Sequence, residues 1–278
     1  KQALVDITTA LLKDGKAGSR AAGLQAALEA EQFNVLAQLT GTKVIHIAER
    51  DTQITNKPKE VNEFCNTWSV EGFYEEGIAP AELGWGMHEK WMPKNAHEHH
   101  DDGPRNQICI AQPGMETWVR SWVPSGQNLG MVIRHGESYT MCKHLTVKNP
   151  DGTDAYRPTV HYAYHPADVA IDSVLELRMR NWKMQDRERI LNNEIISGRD
   201  ELGVLLMGHD YKSWWTGSLL DIDEARSILP GQSATTLQVG GSVVAAVRWL
   251  LTYPTAGVCV PDDLPWRELL AWTRPYIG

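Results

Sequence analysis

The sequence predicts an α/β protein of the α+β type, with a mostly antiparallel β-sheet and flanking helices. Residues 106–164 carry alternating or continuous apolar and aromatic runs, separated by turn signals such as Pro113-Gly114 and Ser125-Gly126. Helical patterns lie on both sides of this region, at residues 1–39 and 167–180. At 42% hydrophobic and 22% charged residues, the 278-residue chain has the composition of a globular protein.

The first part of the chain predicts two helices and a strand. Residues 1–13 repeat apolar side chains on one helical face, and residues 19–39 are rich in Ala, Leu, Glu and Gln. A strand over 43–48 leaves Glu49 at its end, where it is either a site carboxylate or a surface salt-bridge residue. Because the chain opens inside a helical pattern without a Met or a capping residue, we expect it to be the C-terminal part of a longer protein.

A predicted buried strand at 63–67 leads into an aromatic and acidic stretch. Trp68 is followed by three glutamates, including Glu76, in a segment that Gly72 and Gly77 predict to be a loop. An indole face beside carboxylates suits an organic cation, since each cation–π contact contributes about 0.5–2 kcal/mol. The alternative is that Trp68 belongs to the core and that the glutamates are solvated.

Strands dominate the middle of the chain, and strands and helices are mixed after it. No helix is predicted between residues 106 and 164, and Asp200 is predicted at a turn before a strand. A short helix or irregular segment is expected over 79–91. Further strands are predicted at 107–111, 116–123, 129–135, 139–147, 157–164, 204–207 and 212–220, and further helices at 167–180, 223–229, 235–251 and 266–273.

Charge and composition exclude several classes of function. The 27 basic and 35 acidic residues give a net charge of −8, which argues against a nucleic-acid surface and favours a cationic partner. No stretch approaches the roughly 18 apolar residues of a membrane span. Four scattered Cys residues without a CxxC pair indicate reduced thiols and a cytoplasmic protein. No G-x-G-x-x-G or Walker motif marks a nucleotide site.

Histidines offer two weaker candidate sites. His97, His99 and His100 form a cluster that is either a metal site or a polar surface loop, and we expect no stoichiometric metal because metal-site spacing is absent. His135 follows a predicted strand beside Gly136, where a hydrogen-bonded structural role is the alternative to a site role.

The motifs resemble those of the bacterial homospermidine synthases, in the saccharopine dehydrogenase-like group. The resemblance rests on the run NTWSVEGFYEEG at 66–77 and continues nearly the whole length of the chain, through residues 45–53, 133–137, 165–170, 200–209 and 257–264. It implies an NAD-dependent reaction in which putrescine, or another diamine, is oxidised to an imine and deaminated. A second putrescine then forms a Schiff base, which is reduced to homospermidine.

The resemblance also implies roles for individual residues. Trp68 holds the cationic imine by cation–π attraction. Glu49 and Glu76 bind amino groups, and one of them shuttles protons. Asp200 binds the distal ammonium and His135 lines the pocket. No residue of this chain is assigned to the cofactor.

The family places a Rossmann domain before the region that this sequence covers. By resemblance, residues 1–230 are a substrate-binding and dimerisation domain of a homodimer, and residues 231–278 are helices that return to pack on the Rossmann domain. The isolated chain is expected to be poorly active or inactive.

Two alternatives stay open. A carboxyspermidine or saccharopine dehydrogenase-like imine reductase needs an Arg pair for its carboxylated substrate, and Arg50 and Arg134 are candidates. A non-catalytic polyamine-binding domain is the other alternative. NAD binding by the isolated chain would discriminate an enzyme from such a binding domain.

Overall fold

The structure, a computed structural model, describes residues 1–98 and 106–278. Helices and strands mix along these residues in the way that the predicted α+β class requires, which confirms that prediction. The α-helices are Gln2–Lys13 (α1), Ala21–Glu29 (α2), Phe33–Thr40 (α3), Val70–Ile78 (α4), Glu137–His144 (α5), Asp168–Met179 (α6), Ile222–Ile228 (α7), Ala234–Thr252 (α8) and Trp266–Thr273 (α9). Short 3₁₀ turns span Gly18–Arg20, Gly114–Glu116, Pro261–Asp263 and Arg274–Tyr276.

The strands are Val44–Asp51 (β1), Ile54–Thr55 (β2), Glu63–Asn66 (β3), Pro80–Gly84 (β4), Ala96–Glu98 (β5), Gln107–Pro113 (β6), Trp118–Val123 (β7), Gly126–Met131 (β8), Val147–Lys148 (β9), Asp154–Tyr156 (β10), Thr159–His165 (β11), Arg187–Ile190 (β12), Ile195–Ser197 (β13), Arg199–Met207 (β14) and Ser213–Asp221 (β15). Most of them join one large sheet with the order β15-β14-β1-β11-β4-β6-β5, to which β7 and β8 are added through β11. Strand β4 pairs antiparallel with β6 and β11, β6 with β5, β7 with β8, β9 with β10 and β2 with β13, whereas β12 pairs in parallel with β3.

The chain divides into two units. The first unit contains a core cluster of Ala81, Leu83, Ile108 and Val132, whereas the second contains the clusters around Cys65 and around Leu237. The first unit comprises Lys1–Ala48, Ala79–Ala163 and Gly203–Thr216, and the second comprises Glu49–Ile78, Tyr164–Leu202 and Gly217–Gly278.

The N-terminal helices differ from prediction in one place. The single helix predicted over 19–39 is wrong, because Glu31 has a φ of 52° and separates α2 from α3. The apolar face of α1 is confirmed, with Leu4, Ile7 and Leu11 buried.

The predicted loop after Trp68 is helix α4. Its first turn is stabilised by the Ser69 hydroxyl, which accepts a hydrogen bond from the Gly72 amide at 3.0 Å. Val70 and Phe73 then bury one face. Gly72 and Gly77 have low helix propensity and therefore predicted a loop. Propensity alone does not include the tertiary packing that stabilises this helix.

The region after α4 also departs from prediction. Residues 80–84 form strand β4 rather than a helix or irregular segment. The statement that no helix interrupts residues 106–164 is wrong, since α5 replaces part of the strand predicted at 139–147. Tyr and Thr give this segment a strand-like composition, but Ser138 and Cys142 are buried four residues apart, on one helical face.

Helices α6 to α9 begin and end within about two residues of prediction. Helix α8 has 19 residues and a mean hydropathy of 1.2, so by length and composition it is long enough to cross a membrane, contrary to our expectation for the chain. Packed helices of non-membrane proteins pass the same test, and one such helix is weak support for insertion. Its buried side includes Leu237, Ala245 and Trp249.

Candidate active site

A pair of carboxylates occupies the end of strand β1 in the second unit. Glu49 and Asp51 are two residues apart, so their side chains leave the strand on the same face. Both are buried, with 5% and 2% of their surfaces exposed. Arg50 lies between them and leaves on the opposite face. Glu49 is therefore a buried carboxylate, and the surface salt-bridge alternative does not fit its burial.

Asp51 is held by four hydrogen bonds from uncharged donors. Its Oδ1 accepts from the Gln53 amide at 2.8 Å and from Gln53 Nε2 at 3.0 Å, while Oδ2 accepts from the Thr67 hydroxyl at 2.5 Å and the Thr235 hydroxyl at 3.3 Å. Burial raises the pKa of Asp51, and these donors oppose that rise. Thr67 directly precedes Trp68, so this network anchors the residue before the indole.

The same network fixes the first turn of α8. Ser233 caps the helix, accepts from the Thr236 amide at 3.0 Å and donates to the Thr67 carbonyl at 2.6 Å. The Ala234 amide donates to Gln53 Oε1 at 2.8 Å. The end of β1, the residue before Trp68 and the start of α8 are thus joined by hydrogen bonds within one unit.

Asp200 and Glu201 are two further carboxyl groups of the second unit. Asp200 lies within strand β14, which corrects the predicted turn, because the strand begins at Arg199 rather than Val204. Both carboxyl groups are fully buried, and Glu201 pairs with Arg199 at 2.8 Å. Burial, and then the charges of Glu49 and Asp51, raise the pKa of Asp200 well above its usual value.

The buried side chain of Tyr164 is influenced by the carboxyl groups described above. Only 1% of the side chain is exposed, and the Phe73 ring meets it edge-on at 5.4 Å between centroids. Burial, and then the charges of Glu49, Asp51 and Asp200, raise the pKa of the Tyr164 hydroxyl well above its usual value. The Trp68 indole is close enough to act in the opposite direction. Three carboxyl groups and the indole therefore lie near this phenol.

Trp68 is half-buried and packs over the first turn of α4. A Cβ at Gly72 would lie 3.4 Å from the indole Cη2 atom and 3.0 Å from the Ser69 hydroxyl. A methyl group at Gly72 would therefore make ordinary van der Waals contact with the ring and would crowd the Ser69 hydroxyl. The alternative of solvated glutamates after Trp68 fits Glu71 and Glu75, which are exposed, whereas Trp68 itself is half-buried rather than in the core.

Glu76 and His135 are the other predicted site residues. Glu76 lies half-buried on α4 of the second unit. His135 belongs to the first unit, where it stacks on Tyr162 at 4.4 Å and lies 3.2 Å from Glu137. Their roles in the site stay predictions.

The histidine cluster predicted as a metal candidate falls largely outside the described residues, because His99 and His100 lie in 99–105. His97 is exposed on β5. Among the residues that the structure describes, no three His, Cys, Asp or Glu side chains are arranged to hold a metal ion.

Sequence reasoning missed Asp51 and Tyr164 as members of the site. Asp51 was visible beside Glu49 on the same strand face, and that alternation was the signal available. Tyr164 is the next-to-last residue of a buried strand, TVHYAYH, in which nothing distinguishes it from a core aromatic residue.

The described residues thus form an α+β protein in which buried carboxyl groups and aromatic side chains meet at the ends of neighbouring strands. The chain belongs to the saccharopine dehydrogenase C-terminal domain family, which residues 17–277 match.

Named relatives narrow the similarity further. The chain is 44% identical over 284 residues to a homospermidine synthase of Mesorhizobium japonicum, which covers 100% of this chain and 56% of the relative. It is 48% identical over 250 residues to the homospermidine synthase of Blastochloris viridis, covering 89% and 52%. The homospermidine synthase of Legionella pneumophila, solved in complex with NAD, superimposes with a TM-score of 0.86 at 39% identity, covering 99% of this chain and 59% of that one. The chain thus spans about half the length of the curated relatives that it matches.

Proposed function

We propose that this chain is the substrate-binding part of a homospermidine synthase, an NAD-dependent enzyme that joins two putrescines and releases ammonia. The observation that carries the proposal is the buried cluster of Glu49, Asp51 and Asp200 around Tyr164, with the Trp68 indole beside it. Diamines are dications at neutral pH, and such a cluster compensates both their charge and their desolvation. Relatives that share 44% and 48% of the sequence carry this enzyme name.

Each residue contributes a different force to binding and catalysis. Trp68 offers its ring face to a cationic imine, an attraction that grows as positive charge develops on the reacting carbon. Glu49 binds an amino group and Asp200 the distal ammonium. Glu76 is the second candidate for an amino group and for proton transfer. His135 is proposed as a wall of the pocket in the whole enzyme.

The residues of this chain do not fit the nucleotide half of NAD. The sequence has no G-x-G-x-x-G turn, and carboxylates of the kind that surround Tyr164 repel a pyrophosphate. In the whole enzyme NAD supplies the acceptor and donor of hydride. We therefore assign the cofactor to a part of the enzyme outside this chain, and we limit the roles above to holding amines and moving protons.

The proposed assembly places residues 1–230 in a substrate-binding and dimerisation domain of a cytoplasmic homodimer. Residues 231–278 pack on the dinucleotide-binding domain. Support comes from helix α8, whose outward side exposes Val243, Val244 and Leu251, with 56%, 57% and 78% of their surfaces accessible. An apolar helix face of this kind is normally covered.

The second candidate function is a carboxyspermidine or saccharopine dehydrogenase-like imine reductase, which the family description favours. Its substrate carboxylates require arginines. Arg134 lies 3.1 Å from Glu82 in the first unit, and Arg50 leaves β1 on the face opposite to Glu49. The acidic cluster therefore supports the diamine better.

Mass spectrometry of products formed from putrescine and NAD by the full-length enzyme tests the proposal. We expect homospermidine, and a loss of about 30-fold in kcat/KM in Trp68→Ala, since a desolvated cation–π contact contributes about 2 kcal/mol. Trp68→Phe should keep part of the activity because a ring face remains.

The matched control is Trp91→Ala, which removes an indole that is 69% exposed and should leave the rate unchanged. Turnover of a carboxylated imine without any homospermidine would replace the proposal by its alternative.

A further inference from the structure

Two buried carboxyl groups of the second unit have opposite surroundings. Asp51 accepts four hydrogen bonds. The Asp200 oxygens are equally buried, yet neither accepts a hydrogen bond of good geometry from the part of the chain that the structure describes, although the Thr235 hydroxyl is close enough to lower its pKa slightly. Hydrogen-bond donors stabilise a carboxylate, whereas burial without them favours the neutral acid.

The groups that face Asp200 add to this asymmetry. Strand β1 contributes Glu49 and Asp51, strand β11 contributes Tyr164, and strand β14 contributes Glu201. Helix α8 contributes the neutral side chains of Thr235 and Gln238, and Gln238 Nε2 donates to the Asp200 carbonyl at 3.3 Å. Within the described residues, neither Asp51 nor Asp200 forms an ion pair with Lys or Arg. A second buried negative charge at Asp200 is therefore costly until a cation arrives.

We propose that Asp51 is the permanent anion of this pair and that Asp200 is a neutral acid, which releases its proton to solvent when a diamine ammonium binds. This inference rests on the proposed function, because it names the proton balance of the same site. Asp51 acts as a positioning residue, whose hydrogen-bond network and charge fix which carboxyl holds the proton. One proton leaves Asp200 and one ammonium takes its place. The total buried charge of the two carboxyl groups and their bound cation therefore stays at −1.

The consequence is a specific pH dependence. While Asp200 is protonated in the free protein, each bound putrescine releases about one proton, and its association constant rises by about tenfold per pH unit. The rise ends above the raised pKa of Asp200, where no proton remains to be displaced. Between pH 6 and 8 the amines of putrescine stay charged, since alkyl ammonium groups titrate near pH 10.

Isothermal titration calorimetry of putrescine with the full-length enzyme, in buffers of different ionisation enthalpy, counts the released protons directly. We expect about one proton at pH 7 for the unaltered enzyme and none for Asp200→Asn. Asp51→Asn should fold, because an amide accepts from Gln53 and donates to both threonine hydroxyls. It should release fewer protons, since Asp200 loses one of the two neighbouring anions that, after burial, favour its neutral form.

The matched control is Glu201→Gln, which removes an adjacent, fully buried carboxyl that already pairs with Arg199. This variant should still release about one proton. Putrescine binding with no proton release, or equal release in Asp200→Asn, overturns the inference and leaves the proposed function intact. An absence of putrescine binding to the NAD-loaded enzyme overturns the proposed function as well.

Discussion

Asp200 should make the stability of the protein depend on pH. Its pKa is raised in the folded chain, mainly by burial, so the folded state binds a proton that the unfolded state has released above about pH 4. The free energy of unfolding therefore falls as pH rises from that value towards the raised pKa, by up to about 1.4 kcal/mol per pH unit. Asp200→Asn should remove this slope.

Urea unfolding at pH 5 and pH 8 provides the measurement. Asp168→Asn is the control, because it removes an exposed carboxyl on α6. Equal slopes in the unaltered chain and in Asp200→Asn would show that Asp200 is ionised in the folded state.

Single site residues could be predicted from the sequence where a local pattern pointed to them. Trp68 stood beside glutamates, and Glu49 ended a strand. Thr67, Gln53 and Thr235 gave no such signal, because their importance comes from donating around Asp51, across up to 184 residues of sequence. Hydrogen bonds between distant residues leave no pattern in a single sequence.

At the scale of elements, the parallel pair of β3 and β12 depends on one arginine. Arg189 Nε lies 3.0 Å from Glu63 Oε1, and Arg189 NH1 lies 2.9 Å from Glu194 Oε1. Burial acts to raise the pKa of Glu63, but the bonds from Arg189 and the Glu60 amide overcome it and lower the pKa to about 2. Arg189→Ala should cost about 3–5 kcal/mol in the free energy of unfolding, because it leaves buried carboxylates uncompensated.

The pH dependence of stability gives this strand pair a second test. The effect of Glu63 has the opposite sign to that of Asp200. Its folded pKa is depressed, so its contribution to stability is present above about pH 4.5 and is lost as pH falls towards about 2. Thermal unfolding between pH 2 and 6 should show this loss in the unaltered chain and a weaker one in Glu63→Gln. Arg187→Ala is the control, since its pair with Glu60 is exposed on both sides.

Elements were predicted best where one pattern dominated. Helix α6 carries Asp168 in its first turn and Arg178 in its last, and both α6 and α9 lie where the sequence predicts them. Helices α4 and α5 were missed, because Gly72 suggests a loop and Tyr139 suggests a strand. Strand β12 was missed as well, since the sequence RERI alternates charged residues and is ordered by its pairing with β3.

For the whole molecule, the exposed side of α8 predicts how the chain behaves alone. Val243 and Val247 are 56% and 48% exposed on one face, and covering a valine contributes about 1.5–3 kcal/mol. The double variant Val243→Lys with Val247→Lys should reduce aggregation and dye binding by the isolated chain. In the full-length enzyme it should weaken activity, because the covering domain loses its apolar contact.

Light scattering, 8-anilinonaphthalene-1-sulfonate fluorescence and activity form the readout. Val61→Lys, at a valine that is 84% exposed elsewhere in the second unit, should change none of them. Full activity of the double variant would contradict the proposal that α8 packs on a second domain.

The hydrogen bonds around Asp51 also set the order in which the protein can form. Thr235 donates to Asp51 across 184 residues, and the Ala234 amide donates to Gln53 across 181. At about 5–20 residues per second, a ribosome needs about 10–40 s to synthesise the chain between them. Throughout that time Asp51 and Gln53 lack these two donors, and contacts so distant in sequence close late in folding. The hydrogen-bond network around Asp51 is therefore one of the last features that a newly made chain acquires.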